Sequence, residues 1–144
     1  MQTKKAMSIT NPFEKYRELV KSNPSQYPLK IQKQVALQDE MLELFDFEEE
    51  KGEKCIKWIE KYCILTEGEN AGKPVKLQLF QKWIIYSILC FYGEIDNEVY
   101  DEEGNYKGIE RKRTRIVNDV LVSMASGNSK TTTIAFLILY FMFS

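Results

Sequence analysis

Val120-Leu121-Val122-Ser123-Met124-Ala125-Ser126-Gly127-Asn128-Ser129-Lys130-Thr131 reads as a strand turning through a loop into a helix. A branched apolar run leads into small, flexible residues. Lys-Thr follows, then Thr132-Thr133 and an apolar run from Ile134 to Phe143. Strand, small-residue loop, Lys-Thr and helix, in that order, are the context of a phosphate-binding loop. In such a loop, successive backbone N–H groups and a helix start surround phosphate oxygens. Lys130 stands where a lysine bridges the outer phosphates, and Thr131 where a hydroxyl holds magnesium. Gly127 and Asn128 give the loop freedom to adopt positive φ. The full pattern is G-x-x-x-x-G-K-[ST]. Here Met124 takes the place of the first glycine and Ser129 that of the second. A side chain in a close-approach or left-handed position costs on the order of 1 kcal/mol.

Working back from the loop, residues 115–123 are expected to be a strand. Ile116, Val117, Val120, Leu121 and Val122 suit a sheet buried on both faces, although Asn118 and Asp119 interrupt the run. The basic cluster Arg111-Lys112-Arg113-Thr114-Arg115 has two readings, a phosphate or DNA contact and a solvated strand edge. Residues 93–113 form a polar excursion. Within it, Val99-Tyr100 and Tyr106 flank Asp101-Glu102-Glu103-Gly104-Asn105, a hairpin signal. Residues 75–92 start extended and turn into an apolar helix, after a turn-rich loop over 67–74.

Three helices are expected before that. Asn11-Pro12-Phe13-Glu14 reads as a helix start, with Asn11 as cap, Pro12 in the first turn and Glu14 reaching back as a capping-box carboxylate. A second helix covers 30–45, with apolar residues at helical spacing. The acidic group 46–50 marks a break near Gly52, and a third helix runs over 53–65. The acidic runs 46–50 and 101–103 read as solvated. Residues 1–10 read as a loose tail.

Composition narrows the functions available. With 20 basic and 21 acidic residues the net charge is -1, so no global field draws the chain to nucleic acid. Histidine is absent, which removes Ser-His and Cys-His catalysis and most zinc hydrolases. Cys55, Cys63 and Cys90 are odd in number and lack C-x-x-C spacing, so they read as buried free thiols rather than a disulfide framework. Met1-Gln2-Thr3-Lys4-Lys5 is not followed by an apolar core, so no secretory signal is expected. The apolar run 134–143 is too short for a membrane span, which needs about 20 residues.

The C-terminal half resembles a known family. Asn70-Ala71-Gly72-Lys73-Pro74-Val75-Lys76-Leu77-Gln78-Leu79-Phe80-Gln81-Lys82-Trp83-Ile84-Ile85 resembles the segment before the ATPase core in large terminase subunits of tailed phages. Gly93, the basic stretch at 111–115 and the loop Ala125-Ser126-Gly127-Asn128-Ser129-Lys130-Thr131 follow in the family's order. The resemblance covers roughly residues 50–144. It implies an α/β fold: a helical leader over 1–65 and, over 66–144, the start of a P-loop ATPase domain. It also implies ATP and Mg2+ as ligands. Gln81 would read adenine, through an amide that both donates and accepts; the other reading of Gln81 is a polar residue at a helix start. Gly127, Asn128, Ser129, Lys130 and Thr131 would form the phosphate site, with Thr131 on the metal. Phe80 and Trp83 read as core rather than as a stack for adenine.

Where the family often has a loop arginine this chain has Ser126, and the Walker B acids, coupling motif and nuclease site would come later than Ser144. The expectation is therefore an N-terminal fragment of a terminase large subunit, itself inactive, in the cytoplasm of a bacterial host. In the intact family the partners are double-stranded DNA, the portal and the small terminase subunit. Two other readings are a binding module docking on portal or small subunit, and part of another, helicase-like P-loop ATPase. The last helix is apolar nearly all round, so self-association is expected.

Overall fold

The protein's structure, a computed structural model, describes residues 11–66, 68–122 and 130–144, with Lys130 described by its backbone alone. Five α-helices and three β-strands lie among these residues. They are α1 (Pro12–Ser22), α2 (Leu29–Leu44), β1 (Asp46–Phe47), α3 (Glu49–Tyr62), α4 (Leu79–Leu89), β2 (Phe91–Tyr100), β3 (Tyr106–Arg115) and α5 (Lys130–Phe143). The class is mixed α/β, and the described sheet is antiparallel throughout, in the order β1-β2-β3.

Helix α1 begins as its sequence dictates. The Asn11 side chain accepts from the Phe13 N–H at 2.7 Å, and Pro12 occupies the first turn. Glu14 does not complete a capping box; it takes a hydrogen bond from Arg17 at 2.5 Å. Arg17 is buried, at 2% exposure, and also bonds Asp39 and the Val35 carbonyl of α2. This fan of contacts fastens α1 to α2, and Lys21 adds a second cation to Asp39 at 2.9 Å.

Helix α3 starts four residues before the expected position. The acidic residues Glu49 and Glu50 form its first turn, where the helix dipole favours negative charge. Gly52 is not a break. It is buried inside α3, at the crossing with α4, where a Cβ would meet Tyr86 at 2.6 Å and the Cys90 sulfur at 2.9 Å. A side chain there would hold the two helices apart.

Phe13, Val20, Val35, Cys55, Ile59 and Ile85 belong to one buried cluster, which also takes in Phe91 and, from α5, Phe136 and Leu137. Residues on both sides of position 65 therefore enter the same core. Phe13 packs on Phe47 with ring centroids 4.6 Å apart, and Phe47 meets Phe91 edge-on at 5.2 Å. Trp83 lies against Tyr16 at 4.7 Å, and its indole N–H reaches the Gln38 carbonyl oxygen at 3.0 Å. The Gln38 amide then donates to Ser87 at 2.8 Å, so this polar group inside the core is satisfied. Trp83 is thus a core residue, as the sequence suggested, and Phe80 packs partly buried against the same cluster.

All three cysteines are buried and unbridged. Burial, with Cys63 nearby, pushes the Cys55 thiol up to about 12. Burial raises Cys63 and Cys90 as well.

The hairpin expected around Asp101–Asn105 is present and longer than the sequence signal. β2 pairs with β3 from Tyr92↔Arg115 to Tyr100↔Tyr106. Asp101 closes the turn by accepting from the backbone N–H groups of Glu103 and Asn105, and Gly104 takes φ 85°. The apolar helix expected to reach residue 92 ends at Leu89, because Phe91 and Tyr92 pair with β1.

The strand expected over 115–123 is corrected in its described part. Strand β3 ends at Arg115, and residues 117–122 lie in no strand. The last hydrogen bond on this side runs from Ile116 N–H to Phe91 O at 2.9 Å. Beyond it no described strand offers a partner, and Asn118 and Asp119 place polar groups where a doubly buried strand needs apolar ones. Val120 and Leu121 are exposed, Leu121 almost completely. No described helix is long and apolar enough to cross a membrane.

Candidate functional site

Two stretches far apart in the sequence meet where α4 begins. The chain before α4 is pinned to α3: Val75 N–H donates to Cys63 O at 3.2 Å, and Leu77 N–H to the Glu60 carboxylate at 3.1 Å. Lys82 approaches the same carboxylate at 3.9 Å. Glu60 is half-buried, and its carboxylate holds the chain just before α4 against α3.

Gln78 caps α4 and shares a reciprocal capping box with Gln81. The Gln81 carbonyl oxygen accepts from Gln78 N–H at 2.8 Å. Its amide nitrogen donates to the Thr133 hydroxyl of α5 at 3.0 Å. Both side chains are buried, Gln81 at 6% exposure and Thr133 at 3%. The helix-start reading of Gln81 is therefore realised in the cap, and the same side chain reaches the first turn of α5.

Helix α5 opens at Lys130, with Thr131 next and exposed. The first N–H groups of a helix have no partner within it, and no acidic side chain stands in this first turn. Such an end attracts an anion. Thr131, the second residue of the helix, leaves its hydroxyl exposed beside this end. Among the described residues no cluster of three or more carboxylate, thiol or imidazole ligands occurs. Gly127, Asn128 and Ser129, with Met124 and Ser126, lie outside the described residues, as does the side chain of Lys130.

Sequence reasoning missed Thr133. Its signal is faint: one hydroxyl on the side of α5 that also buries Phe136 and Leu137.

The basic cluster of β3 is largely paired within the molecule. Arg113 donates to Asp46 and to Glu48 at 2.6 Å each, and these bonds hold its guanidinium further above its ordinary range. Arg111 bonds Asp96 at 3.2 Å and lies 3.9 Å from Glu94. The guanidinium of Arg115 sits over the Phe141 ring at 5.3 Å. The acidic run at 46–50 is thus partly engaged by Arg113 rather than simply solvated. The arrangement fits the strand-edge reading of the cluster better than a phosphate-contact reading, because Arg111 and Arg113 already face acids.

A cleft of about 630 Å³ opens between α3 and α5, lined by Trp58, Tyr62, Ile64, Phe136, Leu139 and Phe143 among others. Its wall is apolar, and neither Gln81 nor Thr131 contributes to it. No protein-family model, curated protein or solved structure matches this chain.

Proposed function

We propose that this chain carries the base-reading and phosphate-binding elements of an ATP-driven DNA-packaging motor of the terminase large-subunit type. The observation that supports this most is the hydrogen bond from the Gln81 amide to Thr133. It brings the glutamine expected to meet adenine against the helix whose first residues, Lys130 and Thr131, are expected to meet the phosphates. A base reader and a phosphate helix must lie within one nucleotide's reach, and nothing in the spacing of residues 81 and 133 along the chain requires it.

The roles follow from chemistry. Lys130 would neutralise the outer phosphates, Thr131 would hold Mg2+, and Gly127, Asn128 and Ser129 would shape the loop around the anion. Bound Mg2+ would supply charge neutralisation between phosphate oxygens. Terminase type rather than helicase type rests on the order of motifs between residues 70 and 131. Under this reading the partners are double-stranded DNA, a portal and a small terminase subunit, in the cytoplasm of a bacterial host. The mostly paired arginines of β3 indicate that the described hairpin is not the main DNA contact.

The test is equilibrium binding of ATP with and without Mg2+, beside Lys130→Ala. Magnesium-dependent binding that is lost in the variant supports the reading. A folded wild-type chain with no affinity for ATP or for inorganic tripolyphosphate overturns it.

A further inference from the structure

A primary amide offers two lone pairs on oxygen and two N–H donors on nitrogen. In Gln81 one of each is taken. Its oxygen accepts from Gln78 N–H at 2.8 Å, and its nitrogen donates to Thr133 Oγ1 at 3.0 Å. A backbone N–H can only donate, so the oxygen must face Gln78 and the amide has one orientation. Among the described residues nothing takes the other lone pair or the other N–H.

That remainder is a pattern. The edge of adenine presents a donor at N6 beside an acceptor at N7, whereas guanine presents acceptors at both O6 and N7. A fixed amide with one free donor and one free acceptor complements the first edge. Against the second it sets lone pair against lone pair. Burial sharpens the difference, because a polar group left unmet away from water has lost its hydration without replacement.

We propose that Thr133 is a positioning residue for nucleotide-base selection: its hydroxyl locks the Gln81 amide in the orientation that accepts adenine and refuses guanine. This rests on the nucleotide-binding reading above. Without the hydroxyl, Gln81 is held only at its oxygen and its nitrogen is free to turn away from the base. Because Thr133 lies two residues beyond Thr131 on α5, the same bond ties the base reader to the phosphate helix.

The experiment compares binding of ATP, GTP and inorganic tripolyphosphate, each with Mg2+, to wild type and to Thr133→Val, Thr133→Ala and Thr133→Ser. Valine keeps the shape and removes the hydroxyl, alanine covers the case in which valine disturbs folding, and serine restores the hydroxyl. The expected result is a wild-type preference for ATP over GTP that falls about tenfold in the valine or alanine variant. Tripolyphosphate binding stays unchanged, and serine recovers the preference. An unchanged ATP-to-GTP ratio in folded Thr133→Val or Thr133→Ala overturns the proposal, as does a wild type without base preference. Equal loss of ATP and tripolyphosphate overturns it too, since Thr133 would then only shape α5. If wild type binds none of the three, the nucleotide reading itself fails, and no variant is needed to see it.

Discussion

Gly52 of α3 faces the ring of Tyr86 on α4 so closely that a Cβ on the glycine would stand 2.6 Å from one ring carbon and 2.8 Å from the next. Tyr86 is buried and cannot swing into solvent. Its ring also packs near Phe13 and stacks on Phe47, at 6.5 and 6.2 Å between centroids. Any side chain at position 52 therefore pushes on the centre of the aromatic core.

Gly52→Ala tests this contact. Alanine gains about 1 kcal/mol of helix propensity over glycine. Overpacking a tight core costs about 1–3 kcal/mol. The contact distances lie well below van der Waals separation, so the second effect wins and the midpoint of thermal or urea unfolding falls. A variant as stable as wild type would show that α3 and α4 are not held at this spacing.

What the sequence made legible is local. Asn11-Pro12 carries its own cap, and Asp101 to Asn105 carries its own turn, so both were readable from neighbouring residues. Gly52 looked like a helix break because the ring that requires its small size lies far along the chain. Glu49 and Glu50 suit a solvated loop and a helix start equally well; only the docking of α3 decides between them. The two-residue β1 has no signal apart from its pairing with Phe91 and Tyr92. The apolar run after Arg115 looked like a buried strand, but a strand also needs a hydrogen-bonding neighbour, which an apolar pattern does not reveal. At the site, Gln81 and Thr131 stood out by residue type and order. Thr133 and Glu60 did not, since their importance lies in partners reached through the fold.

Asp39 gives a prediction for acid. Burial pushes its carboxyl up, but hydrogen bonds and charges from Lys21 and Arg17 outweigh that and hold it below the ordinary carboxylate range. A depressed acid contributes stability above its unfolded value, and that contribution is lost as pH falls through the folded value. Stability should therefore decline below about pH 4. Asp39→Asn should cost about 1–2 kcal/mol at neutral pH, a figure reduced because Asp39 is half exposed and Glu14 still faces Arg17. It should also flatten the acid limb. An unchanged slope between pH 5 and about pH 3 in the variant would assign the acid sensitivity to other carboxylates.

The cysteines give the opposite sign. Each thiol is raised by burial, Cys55 up to about 12. A raised acid contributes stability below its unfolded value, near 8.5, and loses it as pH climbs toward the folded value. Unfolding should become easier from about pH 9 upward. The thiols should also resist a maleimide in native protein and react promptly in urea, since the thiolate is the nucleophile. Fast labelling of native protein at neutral pH would mean that Cys55 and Cys90 are reached without unfolding.

Helix α5 buries one side and leaves another in water. Thr133, Phe136 and Leu137 face the core, while Ile134, Ile138, Phe141 and Met142 are exposed at successive turns. The helix has no charged residue of its own after Lys130, so the Arg115 guanidinium over Phe141 is the charge this row meets, and the rest of it is open to a second apolar surface. We expect the 16.9 kDa chain to show an apparent mass that rises with concentration in sedimentation equilibrium. Ile138→Glu with Phe141→Glu places two carboxylates on the row without touching the buried side, and should return the mass to that of a monomer. Phe141 also carries the Arg115 guanidinium, so Ile138→Glu alone separates the loss of that contact from the added charge. A wild-type chain that stays monomeric at every concentration would show that the row is too small or too mobile to drive association. A double variant that still associates would move the contact to another surface, such as the apolar cleft between α3 and α5.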